Sequence, residues 1–127
     1  MPDIKLNSVK LVRIDAVNST VSGMSFELTM NISHTVSSIN PDNNQFNAIT
    51  KIEIERQKPD QVFPLHASFE LCSVFTASSS DVSTEDVFNN SAILVFPFIQ
   101  KYLDQLFNMI SIATIKLPDS AIPKYPK

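Results

Sequence analysis

The chain has 127 residues, of which 43% are apolar and 18% charged, and its formal net charge is −3. This composition is typical of one globular domain with a sizeable core and excludes a disordered chain. A weakly negative charge without a basic run argues against nucleic acid as a partner, and a single glycine, Gly23, argues against a phosphate-binding loop.

The cysteine count and the hydropathy pattern bear on the compartment. Cys72 is the single cysteine, so an internal disulfide is excluded, and we expect a small buried or half-buried hydrophobe there rather than a nucleophile. The first residues lack the apolar core of a signal peptide, and no segment approaches the ~20 continuous apolar residues of a membrane span. We therefore expect a cytoplasmic protein that is not inserted in a membrane.

The first two predicted strands differ in regularity. IKLNSVKLVRIDAV, from Ile4, alternates apolar and polar residues but changes parity near Ser8 and near Val12, which predicts two β-bulges. GMSFELTMNISHTV, from Gly23, alternates without a break, which indicates a strand with one buried face. Its apolar positions are Met24, Phe26, Leu28, Met30 and Ile32.

Two more alternating segments follow, each after a run of turn-forming residues. The first, FNAITKIEIERQ, begins at Phe46, and the second, FPLHASFELCSVFTA, begins at Phe63. Pro64 lies near the start of the second segment, where the loss of one backbone hydrogen bond of the sheet destabilises a strand least. Four strands in succession, joined by short or medium turns, predict an antiparallel sheet.

A long helix is predicted from about Asn90 or Ser91 to about Ile110, so that Pro97 falls within its first two turns. The prolines that follow exclude a second long helix. We therefore predict an α+β fold in a single domain, residues 1–127, with a four-stranded antiparallel sheet followed by one long helix packed on it.

The predicted helix is apolar on more than one side. One stripe, with Phe96, Ile99, Leu103 and Phe107, suffices to pack on the sheet. A second stripe extends the apolar arc to roughly 180°. Its residues are Val95, Phe98, Tyr102 and Met109. Either the segment with Ile112, Ile115 and Leu117 folds back over this second stripe, or the stripe forms a protein interface.

The order of these elements and two short motifs resemble the SecB export-chaperone family. Val95-Phe96-Pro97-Phe98 is similar to the family's leucine-phenylalanine-proline-aromatic motif at the start of its main helix. IKLP, Ile115 to Pro118, is similar to the family's stretch that ends in a proline. The order of elements covers roughly residues 4 to 118, while the matching residues lie mostly between Ile93 and Pro118.

The resemblance implies oligomers, typically tetramers built as dimers of dimers, that hold unfolded chains in apolar grooves. The chain departs from the family after the helix, where MISIAT contains no glycine and no phenylalanine-proline pair. It also has no room for the second helix and tail through which the family helps to contact the export motor. These departures predict a divergent, shortened relative, such as a chaperone that serves a toxin–antitoxin pair.

The sequence offers few residues for catalysis. His66 and Glu70 share a strand face but lie roughly 13 Å apart at strand rise, which is too far for joint ligation. His34 lies elsewhere, at the end of the second strand, and no pairing of a nucleophile with a base stands out. We therefore expect no catalytic residue, no metal site and no cofactor.

We therefore predict a chaperone-like module that binds unfolded or partner polypeptides in apolar grooves of a homo-oligomer, either a dimer or a tetramer. Ile110, Ile112 and Ile115 are the expected client-binding residues. Val95, Phe98, Tyr102 and Met109 are the expected oligomer interface. Two alternatives stay open: a carrier of a small apolar ligand with a pocket between sheet and helix, and a dedicated partner protein without general holdase activity.

Overall fold

The computed structural model describes residues 3–18, 28–56, 65–110 and 115–126. Its elements, in chain order, are β1 (Ile4–Asn18), β2 (Leu28–Val36), β3 (Gln45–Arg56), β4 (Leu65–Ala77), α1 (Thr84–Met109) and a short 3-10 turn (Asp119–Ala121). Four strands followed by one long helix confirm the predicted α+β architecture. Met24, Phe26, Phe63 and Pro64, which the sequence placed in strands, lie outside the described residues.

The strands form one sheet in the order β1-β4-β3-β2, and every neighbouring pair is antiparallel. Consecutive strands β1 and β2 therefore occupy opposite edges. The alternation of the sequence predicted the strands and their antiparallel sense, whereas the position of β1 beside β4 depends on contacts distant in the chain. Leu6, for example, pairs with Phe75, which pairs on its other side with Phe46.

The two predicted bulges in β1 are confirmed. The register with β4 shifts between Leu6 and Ser8 and again between Leu11 and Arg13. Each extra residue restores the parity that keeps apolar side chains on the same face, so that Val9 stays opposite Ser73 and Ile14 stays opposite Phe69.

One face of the sheet supplies half of the core. β4 buries every second side chain from Leu65 to Ala77, and β3 does the same from Phe46 to Ile54. The series contains one polar exception in β4, Ser73, whose hydroxyl is fully buried and has no hydrogen-bond partner among the described residues. Such a group loses its hydration without compensation and is therefore a local weakness of the core.

The helix begins earlier than predicted. Ser83 is its N-cap, with a side-chain oxygen that accepts a hydrogen bond from the backbone N–H of Asp86 at 3.2 Å. Glu85 and Asp86 place acidic groups in the first turn, where they favour the positive end of the helix dipole. The spacing of Ser83 and Asp86 is that of a capping box, a motif that marks the start of a helix. It was not recognised in the sequence because it lies within the polar run SSSDVSTED.

Pro97 consequently lies in the middle of α1, so its predicted place in the first two turns is wrong. A proline there removes the hydrogen bond to the carbonyl of Ile93. Both Pro97 and Ile93 are exposed, so the lost bond lies on the side of the helix away from the sheet, where water can hydrate the carbonyl. This position explains how a helix interior tolerates the proline.

The helix runs obliquely over the sheet. Near its start the Ser91 hydroxyl lies 2.8 Å from a ring nitrogen of His34 in β2. At its end the carbonyl of Ile110 accepts a hydrogen bond from the side chain of Asn18 in β1. The helix therefore joins the two edge strands. Among the described residues, no helix is long and apolar enough to cross a membrane.

Candidate functional site

The inward side of α1 is one continuous row at a spacing of four residues. Val95, Ile99, Leu103 and Phe107 are all at most 1% exposed, since residues four apart project only about 40° apart on an α-helix. Val95 therefore belongs to the core of the chain. Its predicted place in an oligomer interface is not compatible with this burial, and the physical reason is that it continues the row of Ile99 and Leu103.

The outward apolar stripe comprises Leu94, Phe98, Tyr102 and Met109. Met109 is 71% exposed, and the other three are half-buried. Tyr102 approaches Phe69 of β4 with ring centroids 6.4 Å apart, and the Lys101 ammonium lies 5.9 Å from the Tyr102 ring centroid. Leu94, Phe98 and Tyr102 thus pack partly against the core, while Met109 at the end of the stripe is mostly exposed.

After the helix, the returning segment, residues 115–126, runs back along α1. The side-chain oxygen of Gln100 accepts from the backbone N–H of Leu117 at 2.7 Å, and its side-chain nitrogen donates to the carbonyl of Ile115 at 2.9 Å. Towards the start of the helix, the Asn89 side chain accepts from the backbone N–H of Tyr125 at 2.9 Å. Leu117 is buried and joins the core.

The returning segment and the outward stripe lie on different flanks of α1. Asn89 and Gln100 project within about 20° of each other, whereas Gln100 and Tyr102 project about 160° apart. The possibility that the segment covers the second stripe is therefore wrong for the described residues, although the segment does fold back on the helix. Of the outward stripe, Met109 stays exposed and the other three side chains stay half-buried against the described residues.

A second apolar surface lies at the edge of the sheet next to the end of α1. Ile14 and Ala16 point to the helix side of β1, yet both are exposed, and Ile14 is 44% exposed. Ile110, whose carbonyl accepts from Asn18, is half-buried at this place. Ile115 is 41% exposed, but its carbonyl binds Gln100, which lies ten residues before Ile110 on the helix, or about 15 Å away. The third predicted client-binding residue, Ile112, lies outside the described residues.

A buried polar network that the sequence analysis missed fixes the start of α1. The Ser91 hydroxyl donates to the carbonyl of Phe88 at 3.0 Å, so its oxygen accepts from Nε2–H of His34 at 2.8 Å. Nδ1 of His34 then accepts from the Thr50 hydroxyl, also at 2.8 Å. Burial lowers the pKa of His34 from 6.5 to about 4, so the ring is neutral at pH 7.

The strand alternation contained the signal for this network. In β2, His34 follows Met30 and Ile32 at every second position and therefore points to the same inward face. In β3, Thr50 lies between Ala48 and Ile52 on that face. A histidine and a threonine at neighbouring inward positions must find partners when they are buried. The network is a structural tie between β2, β3 and α1 rather than a reactive site, because each polar atom is occupied by another protein group.

The opposite face of the sheet carries charges of both signs. Arg13, Lys51, Glu55 and Glu70 line an open cavity of about 300 Å³ there, together with His66. Lys51 and Glu53 form an exposed ion pair at 2.9 Å. Within the described ranges no group of three or more histidine, cysteine or acidic residues could hold a metal ion. Cys72 is half-buried.

Comparison with known proteins supports the fold. No protein-family profile matches the chain, and no curated protein matches it. Among solved structures it is similar to a SecB-like chaperone of Mycobacterium tuberculosis, solved in complex with a ChAD peptide from an antitoxin. The TM-score is 0.71 at 14% identity, over 91% of this chain and 89% of the other. The fold of this chain is therefore SecB-like, which confirms the resemblance predicted from its motifs.

Proposed function

We propose that this chain is a chaperone-like module that binds unfolded or partner polypeptides on apolar surfaces of a homo-oligomer, without catalysis. The observation that carries the proposal is the outward stripe of α1, in which Met109 stays 71% exposed and the other side chains half-buried although the returning segment folds onto the same helix. The SecB-like fold supports the proposal, because the similar mycobacterial protein is a chaperone bound to a peptide.

The outward stripe is the proposed contact between subunits. Phe98, Tyr102 and Met109 come from the sequence prediction, and Leu94 takes the place of the buried Val95. Large apolar and aromatic side chains in one row on a helix suit packing against the same row of a second copy. A dimer or a dimer of dimers would bury this row.

The edge surface next to the end of α1 is the proposed client contact. Ile110, Ile112 and Ile115 are the residues proposed from the sequence, and Ile14 extends the surface onto β1. An unfolded chain offers many weak apolar contacts, and several such surfaces on one oligomer would bind it by avidity. Unfolded or partner polypeptides are therefore the proposed partners, with no metal or cofactor involved.

The alternative of a small-ligand carrier finds less support. Phe69, Phe75, Leu103 and Phe107 fill the space between sheet and helix and are at most 1% exposed. The cavity of about 300 Å³ lies on the opposite face of the sheet, and another of about 270 Å³ lies beside Val82 and the start of α1. The filled interior favours a binding function on the surface of the molecule.

The direct test is suppression of aggregation of a reduced, unfolded client protein, followed by light scattering. We expect the wild type to suppress aggregation and Ile14→Ser to do so roughly fivefold less well, because an apolar contact of about 1 kcal/mol is lost. Val17→Ser is the matched control, since Val17 lies on the same strand but faces the opposite side, beside His66. Equal loss in both variants would exclude the proposed surface.

A dedicated partner protein would behave differently in the same assay. It would remain an oligomer in solution and leave the aggregation of a general client unchanged. That result would favour one specific polypeptide partner over a general holdase activity.

A further inference from the structure

The flank of α1 beneath the returning segment binds a polypeptide mainly through backbone groups. The amide of Gln100 accepts from one backbone N–H and donates to the carbonyl two residues earlier, at Leu117 and Ile115. Asn89 accepts from a third backbone group, the N–H of Tyr125. A side-chain amide that accepts and donates in this way imitates the edge of a β-strand and does not select side chains.

The side chains of the returning segment add little specificity. Leu117 is its only buried side chain, and the Tyr125 ring meets Phe88 edge-on at 5.7 Å. The 3-10 turn between them, Asp119–Ala121, contains no buried residue. Any extended chain with an apolar residue at the first position and an aromatic residue at the last could make the same contacts.

The backbone of the segment is extended on both sides of its 3-10 turn. Pro118 and Ile122 are extended, with φ near −74° and −61°. Pro118, Pro123 and Pro126 restrict the backbone, which lowers the entropy that binding removes. The segment therefore occupies this flank as a preorganised ligand tethered to its own receptor.

We propose that the Asn89–Gln100 flank of α1 is a binding subsite for an extended partner polypeptide and that residues 115–126 compete for it. The subsite takes a proline-compatible chain with an apolar residue at the Gln100 end and an aromatic residue at the Asn89 end. This inference rests on the proposed function, because the competing partner is the polypeptide that the protein binds. While residues 115–126 occupy the flank, the apparent affinity of the protein for such a partner is reduced.

The test uses the full chain and a fluorescent peptide with the sequence of residues 115–126, IKLPDSAIPKYP. Leu117→Asp should release the segment in the protein while leaving the helix flank intact. If the flank is open about one tenth of the time in the wild type, the variant binds the peptide about tenfold more tightly. Ser120→Asp adds the same charge at an exposed position and should bind like the wild type.

Two further variants make the result specific. Adding Gln100→Ala to Leu117→Asp should remove most of the gained affinity, because the peptide then loses both of its hydrogen bonds to that side chain. Tyr125→Ser loosens the far end of the segment by removing the ring contact with Phe88, and it should give a smaller gain in peptide affinity. It also serves as the releasing variant if circular dichroism shows that Leu117→Asp does not fold.

Equal peptide affinity in the wild type and in the folded releasing variant would overturn the inference. So would a gain that persists with Gln100→Ala. Suppression of client aggregation by the wild type, measured in parallel, separates the two proposals. Suppression without a peptide gain overturns only the competition, whereas a peptide gain without suppression by either protein supports the subsite and contradicts the general holdase function.

Discussion

The two sides of α1 are built from similar residues but meet different surroundings. The inward row, with Val95, Ile99 and Leu103, is at most 1% exposed against the sheet. The outward stripe also carries large apolar side chains, yet Met109 at its end is 71% exposed. Hydrophobicity alone therefore does not distinguish a core position from an exposed one. The direction of a side chain around the helix is not sufficient either, because Ser91 projects in the same direction as Met109, five turns earlier, and is fully buried.

The difference in burial between the two sides of α1 determines whether a side acts mainly in folding or in association. Burial of the inward row contributes to the stability of the single chain, because those side chains leave water on folding. In the outward stripe, Leu94, Phe98 and Tyr102 are half-buried and pack partly against the core, whereas Met109 leaves apolar surface available for association. Substitutions on the inward side should change folding, and substitutions on the outward side should change association.

The largest expected effect is on the inward side. Leu103→Ala should lower the free energy of unfolding by about 3 kcal/mol, because it leaves a cavity at a fully buried position. Met109→Ala, measured at the lowest workable protein concentration, should cost below about 0.5 kcal/mol. Chemical denaturation of both variants checks the comparison, and similar losses would contradict the assignment of the two sides.

The histidine network ties the inward side to the sheet and makes its stability depend on pH. The pKa of His34 is lowered to about 4 in the folded chain, so the unfolded chain binds the proton first as pH falls below 6.5. The contribution is complete above pH 6.5 and is lost towards pH 4, by about 3 kcal/mol in total.

His34→Gln keeps an amide donor and acceptor but does not titrate. The difference in unfolding free energy between wild type and variant should shrink by about 2 kcal/mol between pH 7 and pH 4.5. Denaturation at both pH values provides the measurement. Parallel stability curves for the two proteins would show that His34 is not held neutral by the fold.

Two buried serines make a matched pair with opposite expected signs. Ser73 has no hydrogen-bond partner in the part of the chain that the structure describes, so Ser73→Ala should raise the free energy of unfolding by about 1 kcal/mol. Ser91 bonds both His34 and the Phe88 carbonyl, so Ser91→Ala should lower it by about 1 kcal/mol. Thermal unfolding checks both, and a loss in both variants would mean that Ser73 has a partner.

Local pattern predicted much of this fold. Alternation gave the strands, and the parity changes near Ser8 and Val12 gave both bulges, since a residue's face is fixed by its neighbours in the strand. The start of α1 was missed because the polar run before Phe88 hid the capping serine, Ser83. The position of β1 next to β4 depends on packing between distant segments, which periodicity does not encode.

The site was predicted less completely than the fold. The second apolar stripe was visible in the sequence, but Val95 was placed on the wrong side of its boundary. A helical wheel locates the boundary between buried and exposed positions only to within one residue. The tilt of the helix on the sheet decides on which side of that boundary a residue such as Val95 lies. The contacts of Gln100 with Leu117 could not be predicted, because a polar side chain on a helix gives no sign of its partner.

We propose that the outward stripe of α1 binds a second copy of the chain. The most direct measurement is the mass in solution, by light scattering, of the wild type, of Met109→Asp, and of Asn108→Asp as a control at an exposed position that projects about 100° away from Met109. We predict a dimer or tetramer for the wild type and for Asn108→Asp, and a single folded chain for Met109→Asp. A monomeric wild type, or an unchanged mass for Met109→Asp, would contradict the claim.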